Sequence, residues 1–539
     1  MEEERWRTME HEGAACRLTL DAKGCARAYY EAAASDRFLR SQREHYSSYL
    51  FALHYLTGIE PEAMAEQHRV YGKLYPQPTL PPLGEVARRG GEGNVVTRFD
   101  SLSVESRISN TATLSVSLAL DSSPRGGALK VGFLAPHFCE SSAARFYEAL
   151  LCLPQKTFET FAYSLSEESD AFTAQVQSMV THYSSLASEN LERAEQIIAA
   201  DVLDVLVDLG GHTDGGGTLM LLANHPAKRI IEAVGWFDTT GLAAVDELLT
   251  DDVMDPAGRE ALLSERPLRL PHAWCFTPNS AMRAARERVY GMKFRAKSSQ
   301  TLASLSGGGE PRSGGGLSRL LALQRLEVAY ADGVGSPLHG RSACTSYRLA
   351  GARTKSHVAH LAGFQNFLKL NDEFLRLWKN ILARTPQAHL HLRDTMQSPE
   401  RIAALTVRCR ELGLPMERVT IEQGTNDYLD ALARMDLVLD TYPYPGGAMT
   451  ATALYLGVPV LTRRGDSHSR SVGASILMAA ELPELIAETE EDYIEKAVEL
   501  ASRPEKLAAL REKVWHGVPS SPLCDVTAYQ TTWQRALRS

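Results

Sequence analysis

No CxxC pair occurs anywhere in the chain, and its eight cysteines are scattered. That spacing argues against a zinc ribbon or a disulfide framework and fits a reducing compartment, the cytoplasm. Positive charge is not in excess. The formal net charge is −9, so the basic domain expected of a nucleic-acid binder is missing. No apolar run is long enough to span a bilayer. The opening "MEEERWRTMEHEG" is acidic and polar, unlike the charged-then-apolar start of a signal peptide. No repeat of about 34 residues is visible, which removes a helical solenoid from consideration. What is left is an ordinary globular balance, 44% hydrophobic and 23% charged, over 539 residues, too many for one core.

The pattern along the chain is helical first and alternating later. "REHYSSYLFALHYL" places apolar residues on a helical period, and "TGIEPEAMAEQHRVYGKLY" restarts a helix with Pro61 in its first turn. "PQPTLPPLGE" breaks the pattern as a linker. From about residue 128, "LKVGFLAP", "FETFAYSLS" and "VLDVLVDLGGHTDGGG" read as strands with helical segments between them. A second alternating unit runs from about 361, through "AHLHLRD", "RVTIEQG" and "DLVLDTYPYP", to helices at the end of the chain. "SLSGGGEPRSGGGLSR" between them is low in complexity and reads as a flexible connection. The expected boundaries are 1–125 for a helical region and linker, 126–281 and 361–539 for two α/β lobes, and 282–360 for the connection. In such sheets ligands bind beyond the carboxyl ends of the strands.

Several strand ends carry residues suited to chemistry. In "LDTYPYPGGAMTATALYLGVPVLT", Asp440 closes an apolar strand, and Gly446 and Gly447 allow a close backbone turn before a helix that opens near Thr450 and Thr452. Unpaired backbone N–H groups and the helix dipole suit that spot to phosphate. A plain strand-to-helix turn accounts for the glycines equally well. Lys369, in "QNFLKLND", could balance charge building up on a leaving phosphate, or simply face solvent. His212, in "LVDLGGHTDGGG", ends a buried strand, where an imidazole serves as an acid/base, a sugar contact or a structural residue. Thr239, Thr240 and Gly241 stand at another strand end.

Taken in order, "LKVGFLAPHF", "LVDLGGHT", "GWFDTTGL", "LRLPHAW", "FQNFLKLND", "LDTYPYPGGAMTATALYLGVPVLT", "GDSHSRSVGAS" and "SSPL" resemble the catalytic region of the O-linked N-acetylglucosamine transferase family, in its bacterial SPINDLY-like branch. The resemblance covers roughly 128–280 and 361–539. It implies a GT-B fold, with two Rossmann-like lobes and a cleft, and transfer of GlcNAc from UDP-GlcNAc to Ser/Thr hydroxyls of a protein acceptor, with inversion and no required metal. By the same resemblance Lys369 contacts the diphosphate, Asn366 is its amide neighbour, and Gln423, Thr425 and Tyr428 surround uracil and ribose. Gly446, Gly447, Ala448, Met449, Thr450 and Thr452 form the helix start at ribose and phosphates, and His212 faces the cleft from the first lobe. Two positions depart from the family pattern. Ser141 stands where the family has a first-lobe histidine, and Arg470 is displaced within "HSRSVGAS". Related readings are a fucosyl or Asn-linked glucosyl transferase of the same fold, or a non-catalytic descendant that binds nucleotide.

Overall fold

The computed structural model describes residues 5–75, 127–289 and 358–539. The linker beginning at Pro76 and most of the expected connection at 282–360 lie outside the described residues.

The first unit is four helices, Arg5–Leu18, Ala22–Ser35, Leu39–Leu53 and Pro61–Gly72. Asp21 caps the second, its carboxylate accepting from Gly24 N at 2.8 Å, and Pro61 sits in the first turn of the fourth, where no N–H is needed. These helices do not form a body of their own. Tyr46, Leu50, Leu53 and Tyr71 share one hydrophobic core with Leu134, Leu206 and Ile230 of the following sheet and Leu219 of the helix Gly217–Leu222.

That sheet has seven parallel strands: β1 (Leu129–Ala135), β2 (Phe158–Ser164), β3 (His182–Ser185), β4 (Val205–Asp208), β5 (Ile230–Glu232), β6 (Glu247–Thr250) and β7 (Arg266–Arg269), in the order β3-β2-β1-β4-β5-β6-β7. Successive side chains of a strand point to opposite faces. Leu134 and Leu206 therefore join the core under the N-terminal helices, while Val131, Phe133, Val205 and Val207 join the core on the other face. The last helix, Val526–Arg538, fills that second core. Trp533 is fully buried there with its indole N–H on Leu150 O at 3.2 Å, and Tyr529 donates to Ala273 O at 2.9 Å. The end of the chain thus returns to the first lobe.

The second lobe is a six-stranded parallel sheet, β8 (Ala359–Phe364), β9 (Ala388–Arg393), β10 (Val419–Glu422), β11 (Leu437–Leu439), β12 (Val460–Arg463) and β13 (Ile486–Ala487), in the order β10-β9-β8-β11-β12-β13. Its crossover helices are amphipathic. Helix Asp372–Arg384 buries Phe374, Leu375, Trp378, Ile381 and Leu382, one face of a 3.6-residue period, and Asn371 caps it. Two Rossmann-like lobes preceded by a helical region is the α/β architecture expected of a GT-B protein. Strand order reverses between β1 and β4 in the first sheet and between β8 and β11 in the second, which is where such sheets open a crevice.

Candidate active site at the second-lobe crevice

The loops leaving β8 and β11 bring Asn366, Lys369 and the Gly446–Gly447 turn together. Asp440, wholly buried at the end of β11, organises them. Its carboxylate accepts from Thr441 N at 2.9 Å, Gly446 N at 2.7 Å, Thr462 Oγ1 at 2.8 Å and Gln365 Nε2 at 3.2 Å. Burial raises Asp440 to about 6, against these hydrogen bonds and the Lys369 cation. The loop from Thr441 to Gly446 is cinched around this one carboxylate.

Lys369 reaches across to that loop. Its Nζ donates to Pro445 O at 2.9 Å and lies 3.6 Å from the centre of the Tyr444 ring. Burial pulls the ammonium down to about 8, and Asp440 pulls the other way. It remains cationic at neutral pH. Pro445 O lies immediately before the glycine turn, so the cation sits at the entrance of helix Ala448–Tyr455.

No side chain caps that helix. Gly447 occupies the N-cap at φ −100°, ψ −92°, and a Cβ built on it meets nothing within 4 Å. The turn therefore uses glycine for open space, not for a left-handed backbone. Gly446 is the crowded one, since a Cβ there comes within 2.6 Å of Thr450 Oγ1. Gly447, Ala448 and Met449 are half-buried, and Thr450 and Thr452 are buried. Thr450 Oγ1 has no hydrogen-bond partner among the described residues. A cation, the open end of a helix and an unsatisfied hydroxyl make a place for an anion.

The other second-lobe candidates lie at the ends of β9 and β10. Gln423 and Thr425 line an open depression of about 630 Å³ with Arg393, Glu422, Asn426 and Asp427. Arg393 binds Glu422 at 2.6 Å, Asp427 at 2.9 Å and Thr425 Oγ1 at 3.0 Å. Sequence reasoning missed Arg393; the signal was a cation closing the "HLHLR" strand. Tyr428 does not line this depression. It is half-buried, and besides burial its hydroxyl feels the charges of Glu140 and Arg145 of the first lobe. Asn366 is partly committed. Its Oδ1 accepts from Leu368 N at 3.1 Å and Arg401 Nη2 at 2.6 Å, which leaves the amide nitrogen for any ligand contact. Arg401 is wholly buried, ion-paired to Asp394 at 2.6 Å, and donates to Arg17 O of the first helix at 2.7 Å.

His212 does not face the cleft, a correction to the expected role. Its ring is buried beneath the N-terminal helices, 4.5 Å from the Tyr71 ring and 5.0 Å from Trp236. Nε2 lies 2.8 Å from Thr240 O, which can only accept, so Nε2 carries the proton. Nδ1 is then the acceptor for Ser47 Oγ at 2.9 Å. Burial, reinforced by His68, holds the ring well below the usual histidine value, hence neutral. Both nitrogens are spent inside the protein. Ser141 accepts from Ala144 N at 3.2 Å at a helix start.

The "GDSHSRSVGAS" segment acts between lobes. His468 Nδ1 pairs with Asp255 at 2.6 Å, both buried, and Ser475 donates to Asp251. Burial alone would lower His468, but Asp255, with Asp238 and Asp251 behind it, raises it. Arg470 is held by Asp466 at 3.0 Å and by Ile59 O of the N-terminal region.

The sequence profile described as glycosyl transferase family 41 matches residues 79–298 and 351–533. The chain belongs to glycosyl transferase family 41. A probable UDP-N-acetylglucosamine–peptide N-acetylglucosaminyltransferase SPINDLY of Solanum lycopersicum is 24% identical over 508 residues, 90% of this chain and 44% of that protein. The UDP-N-acetylglucosamine–peptide N-acetylglucosaminyltransferase of Caenorhabditis elegans is 22% identical over 462 residues, 75% of this chain and 40% of that protein. A solved structure of a Thermobaculum terrenum O-GlcNAc transferase mutant matches with a TM-score of 0.71 at 21% identity, covering 98% of this chain and 82% of that one. That likeness shows the GT-B fold. This family 41 chain spans less than half the length of these curated relatives. Among its described residues no helix is long and apolar enough to cross a membrane.

Proposed function

We propose that this chain is an inverting glycosyltransferase that moves GlcNAc from UDP-GlcNAc to Ser or Thr hydroxyls of a protein acceptor. The observation that carries the reading is Lys369 Nζ on Pro445 O, at the uncapped N-terminus of helix Ala448–Tyr455. As the acceptor hydroxyl oxygen bonds to the anomeric carbon, its proton is released, ultimately to solvent, and the anomeric C–O bond to the β-phosphate breaks with its electron pair leaving on UDP. Negative charge grows on the diphosphate, and fixed donors aimed there favour the transition state. The Lys369 ammonium, the N–H groups of Ala448 and Met449, and the Thr450 hydroxyl are those donors. Gln423 and Thr425, beside Arg393, take the uracil and ribose, with Tyr428 at the edge facing the first lobe. This chemistry needs no metal in the crevice. The reading places the protein in the cytoplasm, consistent with the absence of a disulfide among the described cysteines.

Calorimetry with UDP, followed by UDP release from UDP-GlcNAc with and without a Ser/Thr peptide, tests it. Binding plus peptide-dependent release is expected. A screen with other nucleotide sugars separates a fucosyl or glucosyl donor. A second reading, nucleotide binding without turnover, is favoured by the first lobe: His212 is closed off and Ser141 replaces the family histidine. UDP binding with no transfer from any donor would establish that reading instead.

A further inference from the structure

Three buried side chains behind the cleft have polar atoms with no hydrogen-bond partner among the described residues: His54 Nε2, His68 Nε2 and Asp238 Oδ2. They come from three places in the sequence: the end of helix Leu39–Leu53, the helix Pro61–Gly72, and the loop after β5. Their polar atoms all lie within 4.8 Å of one another, with His54 Nε2 at 3.7 Å from Asp238 Oδ2. Relative exposures are 4%, 0% and 5%, so bulk solvent does not reach them. Buried polar atoms are almost always paired, and three orphans converging on one point call for a shared partner.

We propose that His54, His68 and Asp238 bind a divalent cation of the Zn²⁺ class, as a structural clasp between the N-terminal helices and the first lobe. Two imidazoles and one carboxylate are a donor set for such an ion. Ligand atoms about 2.1 Å from a tetrahedral ion stand about 3.4 Å apart, so the cluster closes onto one with side-chain shifts on the order of an ångström. The outer contacts already orient the ligands. His68 Nδ1 lies 2.9 Å from Met64 O, which can only accept, so the proton is on Nδ1 and the Nε2 lone pair is bare. Asp238 Oδ1 accepts from Thr239 N at 2.8 Å, which turns Oδ2 to the cluster. The nearby cation His468 is balanced by its partner Asp255, and Glu265 holds Thr239 and Thr240 next to the ligand loop.

The position explains why such a clasp matters. The His54 ring is 4.9 Å from Phe237, Phe237 stacks on Tyr444 at 4.4 Å, and Tyr444 carries the Lys369 ammonium on its face. The ion lies behind these rings, away from the diphosphate site, and fixes the surface on which Lys369 rests. It is separate from the reaction proposed above.

The test uses the full chain, purified without a polyhistidine tag, stripped with a chelator and then titrated with Zn²⁺. We expect about one Zn²⁺ per chain by elemental analysis, and a melting temperature at least about 3 °C higher with excess Zn²⁺. His68→Gln and Asp238→Asn should each lose the ion and the shift. Should those variants fail to fold, Co²⁺ added to the wild type decides, since a tetrahedral site gives intense visible absorption. The half-buried pair His360 and His391, 2.9 Å apart, is the competing site, and His391→Gln is the control expected to keep the ion. The proposal falls if stripped protein takes up no Zn²⁺ and its melting temperature does not move. It falls equally if the Co²⁺ spectrum is octahedral and weak, or if the ion survives in both variants and disappears in His391→Gln. In those cases His54 and Asp238 are only buried polar neighbours, 3.7 Å apart.

Discussion

Replacing Lys369 by methionine separates function from folding. The side chain is half-buried, and its ammonium makes one hydrogen bond, to Pro445 O, and one contact with the Tyr444 ring. Methionine keeps the apolar stem. The lost hydrogen bond of a charged donor is worth about 1.5–3 kcal/mol, and it is offset by release of an ammonium whose burial is already unfavourable. The net change in stability should fall within about 1 kcal/mol. Catalysis has no such offset. One preorganised donor at a leaving diphosphate contributes about 2–4 kcal/mol, so kcat/KM for sugar transfer should drop by roughly 30- to 1000-fold. A pH series sharpens the assay. Burial sets Lys369 near 8, so it is cationic below that and neutral above. UDP affinity of the wild type, measured by calorimetry, should fall as pH rises through about 8, while the methionine variant binds weakly at every pH. A variant that melts normally and turns over within threefold of wild type would refute the role. So would a variant that shows the same fall above pH 8, since the titrating group would then lie elsewhere.

Gly447→Val projects a side chain into the open space at the helix start, so UDP affinity should weaken at least about tenfold with uridine little affected; equal losses for both ligands, by calorimetry, would reduce the turn to a connector. Arg401→Met strands the fully buried Asp394, and chemical denaturation should show a loss of about 3–5 kcal/mol. His468→Gln breaks the buried pair with Asp255. The folded His468 titrates above the usual histidine value, so its stabilisation is complete below about pH 6.5 and is lost as pH rises through the raised folded value. Asp255 is held below the usual carboxylate range by His468 and Thr250, against its burial, so its contribution fails only in acid. The stability gap between wild type and variant should therefore be widest near pH 5–6 and shrink toward alkaline pH, as read from melts across the range.

The sequence alone determined a good deal. Short, near-continuous apolar runs alternating with helical segments point to two parallel sheets with helical crossovers, and strand ends punctuated by Asp, Gly and Thr point to where each sheet opens. The Gly446–Gly447 turn and Lys369 were legible because their chemistry is local: both flank the reversal of strand order between β8 and β11. What the pattern could not decide is which buried face meets which. Periodicity says that a face is apolar, not what covers it. His212 follows a strand as expected, yet Ser47 and Tyr71, some 140 or more residues earlier, close over it; Ser47 takes Nδ1, and Thr240 O takes Nε2. The same packing brings His54 and His68 to Asp238, and Arg17 to Arg401, and it returns Trp533 to the core of the first lobe. Those pairings depend on shape and on the desolvation of polar atoms, which are set when distant elements dock and leave no mark in any one stretch of chain.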